Sequence, residues 1–451
     1  MGEQLEADVC IVGAGYAGLT AARRLEQGGK SVVVLEARDR VGGRIWTEDF
    51  GGLPIDRGGA WFAPYHDRAL ALAREMGVGT YKTYVAGSHL LVEGSELRRY
   101  KGLIPRISPL AVVTLAIAQT RINRMAKRVP VDAPWNAPHA RDWDGRTVGG
   151  WLERARISTP VGRGLFDMAV RGLLTGDLHD VSFLNLLFLA HAHTGIDKLF
   201  SIEKGSQENL VEGGAGSIAQ RVAEQLGDRV RLETPARSIT QTDTRVVVAS
   251  DAVTVTADHV VVSVPPALAL EIAFDPVLPT DRETLYRNAI AGPESKTLVV
   301  YDEPFWRRDG LSGQSAHPGS ASEVTIDASP SDGRAGVLAS FAFSHVAERF
   351  DALDPDDRRR AVLDELTTRF GSRASSPSEF VHTAWWNEPW TRGCSMAHFR
   401  PGVLTRYGHL LREPFGRVHW AGTETSATSH GAIDGAIRSG ERVAEELLER
   451  S

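Results

Sequence analysis

The chain has 451 residues, 42% of them hydrophobic, which gives room for two or three domains of ~150 residues, each with a sizeable core. With 51 Lys and Arg against 57 Asp and Glu the formal charge is -6, so neither nucleic acid nor anionic lipid has a general electrostatic reason to bind. Two cysteines, Cys10 and Cys394, exclude a disulfide framework and fit a reducing compartment. No basic segment followed by an apolar stretch opens the chain, and the most apolar run, Pro109 to Ala118, is far shorter than the ~20 residues of a bilayer span. A cytoplasmic protein without a membrane partner is expected.

Residues 7–36 are predicted to run strand (Ala7 to Val12), glycine turn, helix (Leu19 to Leu25) and strand (Ser31 to Leu35), a βαβ unit. Residues 81 to about 200 read as an inserted helical layer with a Pro-rich break from Val129 to His139. A helix at Ser217 to Leu226 is followed by β-rich runs at Val230 to Glu233, Arg245 to Ala249, Val253 to Thr256 and His259 to Val264, which should return to the first sheet. From Thr297 to about Trp386 strands alternate with one helix, Pro355 to Phe370. The chain closes with a strand at Val418 to Ala421 and a helix from about Ala432 to Glu449, whose Ile437, Val443, Ala444, Leu447 and Leu448 share one face. His191 and His193 alternate along an expected strand, no HExxH occurs, and no metal is expected.

Gly13-x-Gly15-x-x-Gly18 follows a strand and opens a helix, and the acidic Glu36 ends the next strand. That context makes the glycine pattern a dinucleotide site. The first glycine permits the tight turn, the second lets backbone N–H groups approach a pyrophosphate, and the third lets helix pack close on strand. Glu36 suits both hydroxyls of an unphosphorylated ribose.

The run Glu36-Ala37-Arg38 to Gly42-Gly43-Arg44 continues with Gly58-Gly59-Ala60-Trp61. It resembles the second FAD-binding stretch of the flavin-containing amine oxidases, and so do Glu294-Ser-Lys296, Glu303-Pro-Phe-Trp306, Trp390-Thr-Arg-Gly-Cys394 and Trp420-Ala-Gly-Thr-Glu424-Thr. The chain is thereby identified as a member of the monoamine oxidase-like family. The resemblance implies an α/β fold: a Rossmann-like FAD-binding domain (5–80, 206–290 and 392–451) interleaved with an α+β substrate-binding domain (81–205 and 291–391). It also implies oxidation of an amine to the imine, with O₂ reduced to H₂O₂. Its implied partners are a small-molecule amine and O₂, and a homodimer is the expected assembly.

By the same resemblance Gly13, Gly15, Ala17, Gly18, Glu36, Ala37, Arg38, Gly42, Gly43, Arg44, Gly58, Gly59, Ala60, Trp61, Ala236, Gly422, Thr423, Glu424, Ala432 and Ile433 would hold FAD. Lys296 would sit at flavin N5 through a water and assist reaction with O₂; on its own the residue would be an edge lysine reaching solvent. Trp385 and Trp390 would pack on the flavin, and Cys394 would carry it through an 8α-thioether, with Arg392 lowering the thiol pKa. Gln207 would line the amine pocket, with Leu199 and Phe200 as its gate. The sequence departs from the family where two aromatic rings normally flank the substrate: Ser395 and Ala432 stand there. That departure would admit a bulkier amine, or one oriented by polar groups, while the gate of Leu199 and Phe200 fits an apolar body. It leaves open a diamine or polyamine oxidase, a flavin dehydrogenase or desaturase acting on a non-amine, and a flavoprotein without oxidase turnover.

Strand parity bears on the diamine alternative. In Ser322 to Asp327, Val324 and Ile326 share one face and Glu323, Thr325 and Asp327 the other. With the Val324 face toward the pocket, no carboxylate would meet a distal ammonium.

Overall fold

The computed structural model describes residues 2–102, 107–155 and 159–450. Two sheets organise them. The first is built on the strand Glu3–Val12, which pairs in parallel with Val32–Leu35 on one side and Val253–Val262 on the other. Val418–Trp420 adds in parallel to Val253–Val262, and the antiparallel strands Ser238–Gln241 and Val246–Ala249 extend the sheet. Parallel strands buried on both faces need continuous apolar runs, and Val32 to Leu35 is buried at every position.

The glycine turn sits at the carboxyl edge of this sheet because the first helix, Tyr16–Gln27, starts immediately after the central strand. Gly18 is packed so closely that a Cβ there would fall 1.9 Å from Gly13 O. The final helix, Ile433–Glu449, packs along the first, with a Cβ on Gly440 only 2.4 Å from Ala17 O.

The second sheet has seven strands in the order Glu379–Ala384, Glu294–Tyr301, Gly336–Phe343, Val324–Asp327, Leu311–Ala316, Ser88–Glu93, Glu96–Tyr100. Glu294–Tyr301 is paired on both sides and buried from Ser295 onward. An edge position for Lys296 is therefore excluded.

Three expectations are corrected. The stretch from 81 is not helical at its start: Ser88–Glu93 and Glu96–Tyr100 form a hairpin, turned by Gly94-Ser95 with Gly94 at φ +60. Helices follow from Pro109–Ala126 onward, while residues 103–106 and 156–158 of that stretch lie outside the described residues. His191 belongs to a helix, Phe183–Ala192, capped by Ser182 Oγ accepting from the Leu184 N–H at 3.1 Å, and His193 follows its end. Nine of the ten positions of that helix are buried, so its apolar run carries no period to separate helix from strand. The two runs expected at Val253 to Thr256 and His259 to Val264 are one continuous strand, Val253–Val262.

Candidate active site

A cavity of about 660 Å³ runs from the glycine turn to the second sheet. Every residue expected to touch cofactor or substrate lines it except Gly18 and Glu424, which stand behind the wall. Gly18 serves helix–strand packing. Glu424 holds Arg44, with Arg44 Nη1 donating to Oε1 at 2.6 Å and Nη2 to Oε2 at 3.1 Å, and accepts from the Ala397 N–H at 3.1 Å. Burial alone would raise the Glu424 carboxyl, but Arg44 and these hydrogen bonds bring it below the usual carboxylate range.

At the first end, the helix starting at Tyr16 has no side chain capping its N-terminus, so its free N–H groups and dipole are available to an anion. Glu36 is buried at the end of its strand, accepting from the Ala14 N–H at 2.7 Å and the Arg38 N–H at 3.0 Å. Its carboxylate retains lone pairs for further donors, as a ribose diol would supply. Arg38 is drawn to Glu388 at 2.7 Å and to Thr391 at 2.5 Å, tying this end to the segment before Cys394. An uncapped helix N-terminus, a buried acidic acceptor and a cavity continuing past both fit an extended dinucleotide such as FAD.

In the middle, Lys296 is only 4% exposed. Its Nζ donates to Asp56 O at 2.6 Å and Gly58 O at 2.8 Å and lies 4.9 Å from the centroid of Trp61. Burial lowers its pKa to about 8, against the opposing pull of Asp56, Glu294 and Cys394. Trp385 is fixed by its Nε1 donating to Arg57 O at 3.0 Å, with Trp46 edge-on at 6.5 Å. Arg392 is not at the thiol: it pairs with Glu271 at the surface, and the cations acting on Cys394 are Arg44 and Lys296. The reason is the ion pair: the half-exposed Glu271 carboxylate holds the Arg392 guanidinium outward, and Arg392 itself does not line the cavity that Cys394 lines.

The far end is walled by Leu199, Phe200, Val324, Ile326, Phe341 and Phe343, with the Gln207 amide donating to Leu199 O at 3.4 Å. Val324 and Ile326 face this chamber. Glu323 faces away and is fully buried, bonded by Arg171 at 2.8 and 3.1 Å and by the N–H groups of Gly319 and Phe343.

Three buried histidines that the sequence did not single out also line the cavity: His66, His193 and His430. Ala63 N–H donates to His66 Nδ1 at 3.0 Å, His193 Nε2 donates to His430 O at 2.8 Å, and His430 Nδ1 donates to Ser426 O at 3.3 Å. One ring nitrogen of each is left without a protein partner. Burial lowers His66 and His430 to about 4 and His193 below its usual value, so all three are neutral near pH 7. His66 stands at the start of one helix, His193 at the end of another, and His430 in the turn before the last. Only His430, two residues before Ala432, offered a local hint. Among the described residues no group of three or more His, Cys, Asp or Glu is placed to hold a metal ion, and no helix is long and apolar enough to cross a membrane.

The fold and this cavity define an oxidoreductase built around a dinucleotide. The family model for flavin-containing amine oxidoreductases matches residues 16–448, and the chain belongs to that family. Its cofactor is a flavin and its reaction the oxidation of an amine with O₂. It is 39% identical over 440 residues to AofH of Mycobacterium tuberculosis, named for the flavin-containing monoamine oxidases, covering 98% of this chain and 96% of that protein. It is 34% identical to pig amine oxidase B, covering 98% and 86%. Among solved structures, putrescine oxidase with putrescine bound matches with a TM-score of 0.95 at 31% identity, covering 99% of this chain and 100% of that one. Cyclohexylamine oxidase from Brevibacterium oxydans matches with a TM-score of 0.94 at 32% identity, covering 98% and 99%.

Proposed function

We propose that the protein is an FAD-dependent oxidase of primary or secondary monoamines with an apolar body. The observation that carries this reading is the far end of the cavity. Its walls are mainly aliphatic and aromatic, its polar groups such as Gln207, Gln314 and Ser315 are uncharged, and the carboxylates lining the cavity among the described residues, Glu36, Glu271 and Glu294, belong to its other parts. The residues outside the described set include no Asp or Glu. A distal ammonium would therefore be buried without a counter-charge, at a cost of several kcal/mol. The likeness to putrescine oxidase keeps a diamine as the second reading.

When bound, the flavin supplies the electron sink, accepting a hydride from the carbon beside nitrogen and passing two electrons to O₂. The chain's own residues bind and arrange. The open N-terminus of the first helix and Glu36 hold the pyrophosphate and ribose. Leu199, Phe200 and the phenylalanines exclude water, which favours the neutral amine needed to give up hydride. The Lys296 ammonium offers a positive charge where O₂ gains electrons, and Cys394 would bind the flavin covalently. The segments contributing to the two sheets would form the cofactor half (5–80, 206–290, 392–451) and the substrate half (81–205, 291–391). Cytoplasmic location and a homodimer complete the proposal.

The test is a panel of amines scored for H₂O₂ and for the aldehyde or ketone product. Turnover of apolar-bodied monoamines is expected. A yellow protein that bleaches with no amine but with a C–C substrate would overturn the reading.

A further inference from the structure

The middle of the cavity brings together a thiol, Cys394, and a carboxyl, Glu294. Glu294 opens its strand two residues before Lys296, so alternation puts both side chains on the cavity face, while Ser295 points away and bonds Asp351 at 2.6 Å. The segment carrying Cys394 crosses directly over the residues leading into this strand. Cys394 N–H donates to Gly292 O at 3.3 Å, and Gly393, at φ +139, passes so close that a Cβ there would fall 2.3 Å from the Cβ of Ala291. Only glycine permits that approach.

The crossing places the Cys394 thiol beside the Glu294 carboxyl on the cavity wall, close enough for each to act on the other's proton. Lys296 and Arg44 lie close enough to act on the pair electrostatically. Burial raises Glu294 to about 7, and burial together with the Glu294 charge raises the thiol well above its usual value, so the resting pair carries its proton on sulfur.

We propose that Glu294 is the base that takes the Cys394 proton when the flavin is attached. The inference rests on the thioether proposed above. In the step, the S–H bond breaks and its proton passes to the Glu294 carboxylate. The sulfur lone pair forms a bond to the 8α carbon of a flavin tautomer whose methyl group has lost one proton. The electron pair of that C–H bond remains in the flavin, which is thereby reduced. O₂ then accepts the two electrons and, with the two released protons, leaves as H₂O₂. Overall, oxidised FAD, the thiol and O₂ give linked oxidised FAD and H₂O₂. The proton moves within the pair, so the total charge facing Arg44 and Lys296 does not change, and those cations hold the thiolate as it forms.

The test measures attachment, not turnover. Wild type, Glu294→Gln, Glu294→Asp and Cys394→Ala are purified, precipitated with acid, and assayed for flavin in the pellet and for the mass increment of one FAD. Cys394→Ala should release all its flavin. Glu294→Gln should bind flavin in the native state but attach it roughly a hundredfold more slowly, with Glu294→Asp intermediate. In wild type the attachment rate should rise with pH up to about 7 and then level, as Glu294 loses its proton. A Glu294→Gln protein that attaches flavin at the wild-type rate overturns the inference while leaving the thioether intact. Should Glu294→Gln fail to fold, a wild-type rate flat across that pH range overturns it equally. Wild type that releases all its flavin into acid overturns the thioether, and the inference with it.

Discussion

At Gly13 to Gly18 the cavity wall is set by backbone, whereas in the far chamber it is set by the side chains of Leu199, Val324 and Phe341. The glycine turn allows few residue types: Gly13 sits at φ +102 and Gly18 has no room for a Cβ. The chamber tolerates many, because a wall of Leu199, Val324 and Phe341 needs only apolar volume. On the proposed reading the first region would fix what cofactor is bound, and the second would decide which amine. Changes at the turn should abolish function. Changes at the chamber should redirect it.

The largest effect on flavin binding is expected at Glu36. Glu36→Ala removes a buried acceptor whose charged hydrogen bonds are worth about 1.5–3 kcal/mol each, so flavin affinity should fall roughly 10- to 100-fold. The flavin-to-protein ratio after purification measures this. Retention of full flavin would mean that the helix N-terminus alone suffices.

Lys296 lies between the two regions and should divide the half-reactions. Lys296→Met should slow reoxidation by O₂ roughly 10- to 100-fold while leaving reduction by amine within a few-fold. Its ammonium is present below about 8 and lost above, so wild-type reoxidation should fall as pH rises through that value. Stopped-flow traces of each half-reaction decide the matter, and equal losses in both would remove Lys296 from the oxygen step.

Glu323 is the control for the chamber. Glu323→Ala leaves Arg171, only 4% exposed, with Asp167 as its remaining ion-pair partner, and breaking such a buried pair costs about 3–5 kcal/mol. The melting temperature should drop while the ratio of monoamine to diamine turnover stays constant. A changed ratio would place this carboxylate in substrate binding.

The smallest effect is expected at Ala432. Ala432→Tyr restores one ring beside the chamber, and an aromatic contact worth about 0.5–1.5 kcal/mol should raise kcat/KM for small arylalkylamines roughly 3- to 10-fold. Bulky amines should lose by a similar factor.

The same contrast explains what the sequence made legible. The glycine turn, Glu36 and the final helix could be read because backbone geometry ties residue type to spacing. The parity of Ser322 to Asp327 was likewise readable, since alternation is a property of any strand. Side-chain partners contributed by distant segments were not. Nothing near Arg392 signals that it reaches Glu271, and nothing in the positions 66, 193 and 430 signals that three imidazoles share one cavity. The Ser88–Tyr100 hairpin is hard to read for a different reason: its Gly94-Ser95 turn is there in the sequence, but the long helices that follow carry the stronger pattern.

The central claim is that the chamber selects an amine by an apolar body without a second charge. Anaerobic mixing of the flavin-loaded protein with an apolar-bodied monoamine and, separately, with putrescine tests it directly, because flavin bleaching reports the amine half-reaction alone. The account predicts that the monoamine bleaches the flavin at least tenfold faster at equal concentration, the factor expected from ~1.4 kcal/mol or more of unpaired ammonium burial. Faster bleaching by putrescine, lost in Glu323→Gln, would contradict it.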